Sequence, residues 1–223
     1  MTAARLALGV VGLILVTTAV GCGGSDEPGS DPPTQPPETT SATPTEESTP
    51  TYVVVPPDVT LDEPGSRFEL KETAVAGWLP RQDLVGVVDV AVARIEATTL
   101  KASFGDYDLD DQSAGATPYY VRTTATNVGS TDLGGRQLPF YVVSSDGSLV
   151  APTGIEQDFA ECPDSLLPAI FAPGDEAKSC LIFLVPEGGT LESVMFRPPE
   201  GVVPLLWTGD VKPVKDERRR GRR

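Results

Sequence analysis

The residues of this 223-residue chain that are best suited to chemistry are its three cysteines, and they lie in two places. Cys22 directly follows an apolar segment, whereas Cys162 and Cys180 lie 18 residues apart in the C-terminal half. A thiol can be acylated, joined in a disulfide or bound to a metal. The chain contains no histidine, and two cysteines alone make a poor zinc site.

The absence of histidine also removes the base that most nucleophilic enzymes use. Ser-His-Asp and Cys-His catalysis both need an imidazole, and the sequence has no glycine-rich phosphate loop of the required spacing. Paired carboxylates could still hydrolyse a glycoside, but acids in the loops of an acidic chain are more often solvated surface. We therefore expect no catalytic residues, no enzyme activity and no cofactor.

One acidic cluster, "GDYDLDDQSAG", is a candidate calcium site. Asp106, Asp108 and Asp110 alternate, and Ca²⁺ prefers several converging carboxylate oxygens. The EF-hand pattern fails, because Asp111 stands at its glycine position and Thr117 at its twelfth position. A solvated loop is the favoured interpretation, and a weak calcium site is the alternative.

The residues before Cys22 have the three-part organisation of a signal peptide. A single early cation, Arg5, precedes the apolar segment 6–16, and small residues follow. The segment "AVGC", residues 19–22, resembles the lipobox of bacterial lipoproteins, although Ala19 stands where leucine is commonest. The resemblance implies that residues 1–21 are removed and that a diacylated Cys22 holds the chain to membrane lipid on the extracytoplasmic face of the cell membrane. The alternative is an ordinary secretory signal with Cys22 merely nearby.

Residues 22–81 are predicted to be a disordered linker. Proline, serine, threonine and acids dominate this segment up to about residue 64, and its only apolar cluster is 53–55. Such a composition cannot bury enough surface to offset the entropy of ordering the chain. We expect a spacer that holds a folded domain away from the membrane.

Residues 82–211 are predicted to form one all-β domain, an antiparallel sandwich or barrel. Runs rich in Val, Ile, Tyr, Phe and Thr alternate with turn sequences, and "SSDGS" is typical of a hairpin. Helix is expected to be nearly absent, and the sequence allows at most one short helical turn, in "PDSLLPAI". The predicted strands are 85–97, 119–128, 138–143, 148–152, 179–185, 193–198 and 202–207.

The pattern within these strands predicts their positions in the sheets. Residues 119–128 alternate between core and solvent, whereas 179–185 are apolar on both faces and should form a central strand. Asp89 and Arg94 fall on opposite faces of one predicted strand. One of them must therefore lie at a strand end or a bulge, and Arg94 is expected on the rim.

Cys162 and Cys180 are predicted to form a disulfide. Export places them in an oxidising compartment, and they remain as an even pair once Cys22 is acylated. A bridge that closes a loop of this length contributes roughly 3 kcal/mol in the chain-entropy model. Free thiols and a metal site are the alternatives.

Charge is divided between an acidic body and a basic tail, residues 212–223. The chain carries a formal net charge of −15, yet the tail has seven cations and two acids. A uniformly basic nucleic-acid-binding protein is excluded. The tail could contact anionic envelope polymer or lipid headgroups. Alternatively, it could be a frayed, solubilising end, or it could fold back on the acidic body.

The sequences "PYYVRTTATNVGSTDLGG", "LPFYVVSSDG" and "FAPGDEAKSCLIFLVPEG" resemble the telokin-like, immunoglobulin-like extracellular domain of actinobacterial lipoproteins. This resemblance covers about 115–200 and depends on turn sequences rather than on catalytic groups. It implies an immunoglobulin-like β-sandwich in a family of largely unknown function, with no catalytic residues to carry over. A disulfide between Cys162 and Cys180 fits members of the family that brace this loop.

Two functions remain open at this point. The first is a membrane-anchored module that binds an unknown protein or polymer of the cell envelope. Tyr107, Tyr119 and Trp207 are candidate contacts, and the alternative is that these aromatic residues belong to the core, as such residues more often do. The second is an accessory or hydrolytic enzyme that acts on cell-wall glycan or peptide through surface carboxylates. A transporter's ligand-capturing component would need two α/β lobes, which the strand pattern does not favour.

Overall fold

The strands follow the β-branched and aromatic runs of the sequence, and short polar turns separate them. The computed structural model describes residues 52–105, 107, 113–155 and 159–214. Its elements are β1 (Arg67–Glu69), β2 (Thr73–Arg81), β3 (Leu84–Ala97), α1 (Leu100–Ser103), β4 (Thr117–Asn127), β5 (Phe140–Ser144), β6 (Leu149–Val150), β7 (Glu176–Val185), β8 (Leu191–Phe196), β9 (Leu205–Thr208) and β10 (Val211–Pro213).

Two sheets pack face to face as an immunoglobulin-like sandwich. The first sheet has the order β1-β9-β8-β5-β6. The second has the order β10-β3-β4-β7, and β2 pairs with the N-terminal half of β3. Most pairs are antiparallel, as the sequence predicts, but β1 runs parallel to β9 and β10 runs parallel to β3. The all-β prediction is confirmed.

The main core lies between the two sheets. Alternate residues of β4 point into it, and Val121, Thr123 and Ala125 are all at most 3% exposed. From the first sheet, Phe140 and Trp207 enter the same core and pack ring against ring, with centroids 5.8 Å apart. The predicted alternation is therefore confirmed from Val121 to Thr126, but it fails at Tyr120, which faces away from this core and is nevertheless 0% exposed.

The predicted boundary of the folded domain is wrong at its N-terminal side. The expected linker, 22–81, contains both β1 and β2, and Val53 and Leu61 are buried against Val87. Gly77 allows this packing, because a Cβ there would collide with Val53. Averaged composition concealed the few apolar residues that this segment needs to pack on the sandwich. Residues 1–51, including Cys22 and the predicted signal peptide, lie outside the described residues.

The predicted C-terminal boundary also differs. Residues 212 and 213, assigned from sequence to the basic tail, belong to β10, and Val214 donates a backbone hydrogen bond to Ala97 at 2.9 Å. Residues 215–223 lie outside the described part of the chain.

The prediction that 179–185 form a central strand is wrong, because β7 is the edge of its sheet. Its two apolar faces have a different cause. One face enters the main core, and the other carries a second group of buried residues, here called the outer cluster. The outer cluster consists of Phe104, Tyr120, Phe159, Cys162, Cys180 and Ile182.

The conflict between Asp89 and Arg94 is resolved by a β-bulge, as expected. The register of β3 against β4 shifts between Val92 and Arg94, so that Ala93 has no partner in β4. The bulge reverses the parity of β3, and the side chain of Arg94 is 49% exposed. The expected position on the rim is wrong, because Arg94 pairs with Arg122 within the sheet.

Two further turn predictions have different outcomes. The "SSDGS" hairpin is confirmed: it joins β5 to β6, with Gly147 at φ 82° and the Ser148 amide donating to the Asp146 carboxylate at 2.9 Å. The helical turn that the sequence allows in "PDSLLPAI" does not form, since that segment contains no helix. The short helix α1 lies elsewhere and is capped by Thr99, whose side chain accepts from the Ala102 amide.

The disulfide between Cys162 and Cys180 is confirmed, with the two Cα atoms 5.2 Å apart. Both residues are buried in the outer cluster. The bridge fastens the loop before residue 164 to strand β7, and the amide of Cys180 donates to the carbonyl of Asp164 at 3.2 Å.

Candidate binding groove

An open groove of about 940 Å³ crosses the outer face of the second sheet. Small side chains among its lining, notably Ala93 of the bulge and Thr124 of β4, leave space above the sheet. The full lining is Glu69, Leu70, Lys71, Ala93, Arg94, Arg122, Thr123, Thr124, Pro163, Asp164, Lys178, Ser179, Cys180, Thr208, Gly209, Asp210 and Lys212.

Positive charge is concentrated in this groove. Five of the chain's 17 lysine and arginine residues line it, against three acids, although the chain as a whole carries −15. Lys71, Lys178 and Lys212 are exposed, and none of them makes an ion pair with another described residue. These three ammonium groups are available to a ligand.

The two arginines are held in place by one buried carboxylate. Glu96, only 7% exposed, accepts from Arg122 Nε at 2.8 Å and lies 3.2 Å from Arg94 Nε. Arg122 also donates to the carbonyl of Glu161 at 2.7 Å. This network fixes both guanidinium groups and leaves a net positive charge at the centre of the groove.

The disulfide shapes one end of the groove. Cys180, Pro163 and Asp164 all line it, and the bridge from Cys162 draws the loop against β7 at this point. Beneath that loop, burial raises the pKa of Tyr120 to about 12, so its hydroxyl stays protonated at neutral pH.

A constrained lysine lies at the opposite end. Lys71, in the turn between β1 and β2, has a φ of 80°, a conformation that residues other than glycine adopt at a cost. Its amide donates to the Val92 carbonyl at 2.8 Å, immediately before the bulge. The backbone bond holds this turn over β3, and so places the lysine at the rim of the groove.

The structure places the remaining predicted site residues as follows. Asp106, Asp108 and Asp110 lie outside the described residues, and within the described part no group of three potential metal-ligating side chains occurs. Tyr107 is half-buried against Phe104 and Phe159. Tyr119 and Trp207 are only 5% and 0% exposed, so their assignment as ligand contacts is wrong.

Sequence reasoning missed the groove, because its cations come from five separate elements or turns. Arg94 was expected at the rim, but nothing in the sequence placed Lys71, Lys178 and Lys212 beside it. The register supplies the connection: Arg94 pairs with Arg122, Arg122 with Cys180, and Lys212 with Glu96.

Sequence reasoning also missed Asn127, although a signal existed. Asn127 continues the inward parity of Val121, Thr123 and Ala125, and it is 1% exposed. Its amide nitrogen donates to the carbonyls of Thr131 and Phe171 at 2.8 and 2.7 Å. A polar residue on the buried face of a predicted strand is expected to form hydrogen bonds with other buried groups.

A second polar feature of this sheet is a pair of neighbouring acids, Asp62 and Asp89. Asp62 accepts from the Val75 amide at 2.7 Å, and Val75 pairs with Asp89. Asp89 Oδ1 is buried and has no hydrogen-bond partner among the described residues. Burial, and then the charge of Asp62, raise the pKa of Asp89, while a hydrogen bond from Thr73 opposes the rise.

We expect Asp89→Asn to raise the melting temperature at pH 7 by about 1–3 °C. A carboxyl whose pKa is raised by folding stabilises the fold at pH values below its unfolded pKa, and this contribution is lost as the pH rises through the folded pKa. The gain should therefore vanish near pH 3. Exposed Asp58→Asn is the matched control for thermal unfolding at both pH values. A lower melting temperature for Asp89→Asn at pH 7 would contradict this account.

The described part of the chain contains no helix of sufficient length and hydrophobicity to cross a bilayer.

Comparison with known proteins adds little to these observations. No protein-family model and no curated protein matches the chain. A crystal structure of the yjhA protein from Bacillus subtilis is similar at 13% identity, with a TM-score of 0.40, over 64% of this chain and 99% of that chain. A likeness of this size carries no argument about function.

Proposed function

We propose that the chain is an extracytoplasmic lipoprotein whose immunoglobulin-like domain is a binding module at the cell envelope. One observation carries the binding role: the sandwich presents an open groove that concentrates cations, three of which have no ion-pair partner among the described residues, on a chain that is otherwise acidic. The five cations outnumber the three acids of the lining, and a groove with a net positive charge attracts ligands of the opposite sign.

The proposals of export and of membrane anchoring are supported by observations other than the groove. Cys22 follows an apolar segment and the small residues 19–21, and the disulfide suits an oxidising compartment. Two acyl chains on one sulfur would hold the protein stably at a membrane. About thirty residues separate Cys22 from Tyr52, the first residue that the structure describes.

Replacing Cys22 tests the anchor. In a bacterial host fed a clickable palmitate analogue, the wild-type chain should incorporate the label and sediment with membranes. Cys22→Ala should lose both properties, whereas Thr17→Ala, outside the "AVGC" segment, should keep them. A full-length chain in the soluble lysate, with its leader intact and no acyl mass, would overturn the proposal.

The alternative function, an accessory or hydrolytic enzyme that acts on cell-wall glycan or peptide, stays a prediction.

A further inference from the structure

The spacing of the cations in the groove limits the kinds of ligand that could bind there. Lys71 and Lys212 lie at the β10 side, Arg94 and Arg122 lie at the centre, and Lys178 lies at the β7 edge. Neighbouring strands are about 4.8 Å apart, so the cations extend over about 14 Å. A single small anion cannot contact all of them, but a polymer with repeated negative charges can.

The donors in the groove suit tetrahedral oxyanions. Glu96 engages the Nε atoms of both arginines, and Arg122 also donates to the Glu161 carbonyl, so the guanidinium N–H groups that remain can act as further donors. These N–H groups, the hydroxyl of Thr124 and the lysine ammonium groups line the groove and can together satisfy the several lone pairs of a phosphate group.

A peptide ligand fits this site less well. Peptides usually bind a sheet by adding a strand to its edge, where main-chain groups are unpaired. The floor of this groove is the face of the sheet, where β3, β4 and β7 already pair with one another. Recognition must therefore come from side-chain charge.

We propose that the groove binds an extended polymer that carries phosphate groups. This inference rests on the proposed binding function and gives it a ligand class. The proposed ligand class does not depend on Cys22. The proposal of a membrane anchor and the proposal of a phosphate ligand can therefore be disproved independently.

The test uses the full chain with inorganic polyphosphate as the probe, titrated by calorimetry from 50 to 200 mM salt. Lys71→Gln/Lys178→Gln/Lys212→Gln removes the three groove cations that form no ion pair within the described part of the chain. Arg67→Gln/Lys101→Gln/Arg136→Gln removes three cations outside the groove, so the net charge falls equally in both variants. Both variants keep the cations of residues 215–223, so these cannot explain a difference.

We expect the groove variant to bind polyphosphate about tenfold more weakly, or weaker still, and its salt slope to fall by about two to three. The control variant should stay within about twofold of wild type, because charge outside the groove acts only at long range. If the triple variant does not fold, Lys178→Gln alone should weaken binding by about threefold.

Three results would overturn the proposal. The wild-type chain could fail to bind polyphosphate at 50 mM salt, or the two triple variants could lose affinity equally. Polyglutamate or a polyuronate of matched charge could also bind more tightly than polyphosphate, which would assign the groove to a carboxylate ligand. Loss of polyphosphate binding with intact palmitate labelling would leave the anchor standing.

Discussion

Replacing Trp207 with alanine should lower the free energy of unfolding by about 3–5 kcal/mol. Trp207 is fully buried in the main core, stacks on Phe68 with centroids 5.1 Å apart, and donates from Nε1 to the Glu72 carbonyl at 3.0 Å. Truncation would leave a cavity between the sheets and an unpaired carbonyl in the turn that carries Lys71. The loss therefore combines packing with a hydrogen bond.

A graded series makes this prediction testable even if the alanine variant does not fold. Trp207→Phe keeps most of the ring contact and loses the hydrogen bond, so its stability should lie between wild type and Trp207→Ala. Ile170→Ala, at a side chain that is 69% exposed, should change stability by about 0.5 kcal/mol or less. Urea unfolding followed by circular dichroism measures all three. A Trp207→Ala midpoint equal to that of Ile170→Ala would mean that the core is assigned wrongly.

Asn127→Asp is expected to cost about 3 kcal/mol or more at neutral pH, although the two side chains have nearly the same shape. The substitution replaces two donated hydrogen bonds by a buried carboxylate that faces the carbonyl oxygens of Thr131 and Phe171. Neither carbonyl can donate to the carboxylate. The substituted chain loses both bonds and gains repulsion in a buried site.

The pH dependence separates this cause from simple loss of contacts. A carboxylate buried beside carbonyls has a raised pKa in the folded state, so its cost should shrink as the pH falls and the carboxyl becomes protonated. Asn127→Ala also loses the bonds but adds no charge. Its smaller cost, about 1–3 kcal/mol, should not change with pH. Equal pH profiles for the two variants, from urea unfolding at pH 4 and pH 7, would contradict the charge argument.

Local sequence predicted the strands of residues 84–208 well. The side chains of a strand alternate between its two faces, and turns favour particular residue types, so both can be recognised from neighbouring residues. The β5–β6 hairpin follows from Asp146 and Gly147 alone. The disulfide followed from cysteine number and expected compartment. Prediction failed for β1 and β2, where charged residues and a proline interrupt the apolar pattern and most of the stabilisation comes from distant partners.

The position of each strand within its sheet could not be predicted in the same way. An apolar pattern on both faces of β7 was assigned to a central strand, but the second face is covered by the outer cluster around Phe159 and the disulfide. Burial patterns report whether a face is covered. They do not report whether a sheet or a loop covers it.

By itself the sequence determined the all-β class, seven of the ten described strands to within three residues at each end, the hairpin and the cysteine pair, since these depend on neighbours along the chain and on residue types. Only the tertiary structure decided that Lys71, Arg94, Arg122, Lys178 and Lys212 line one groove. The physical reason is that strand order and the bulge at Ala93 set which side chains share a face, and both depend on pairing between segments far apart in the sequence.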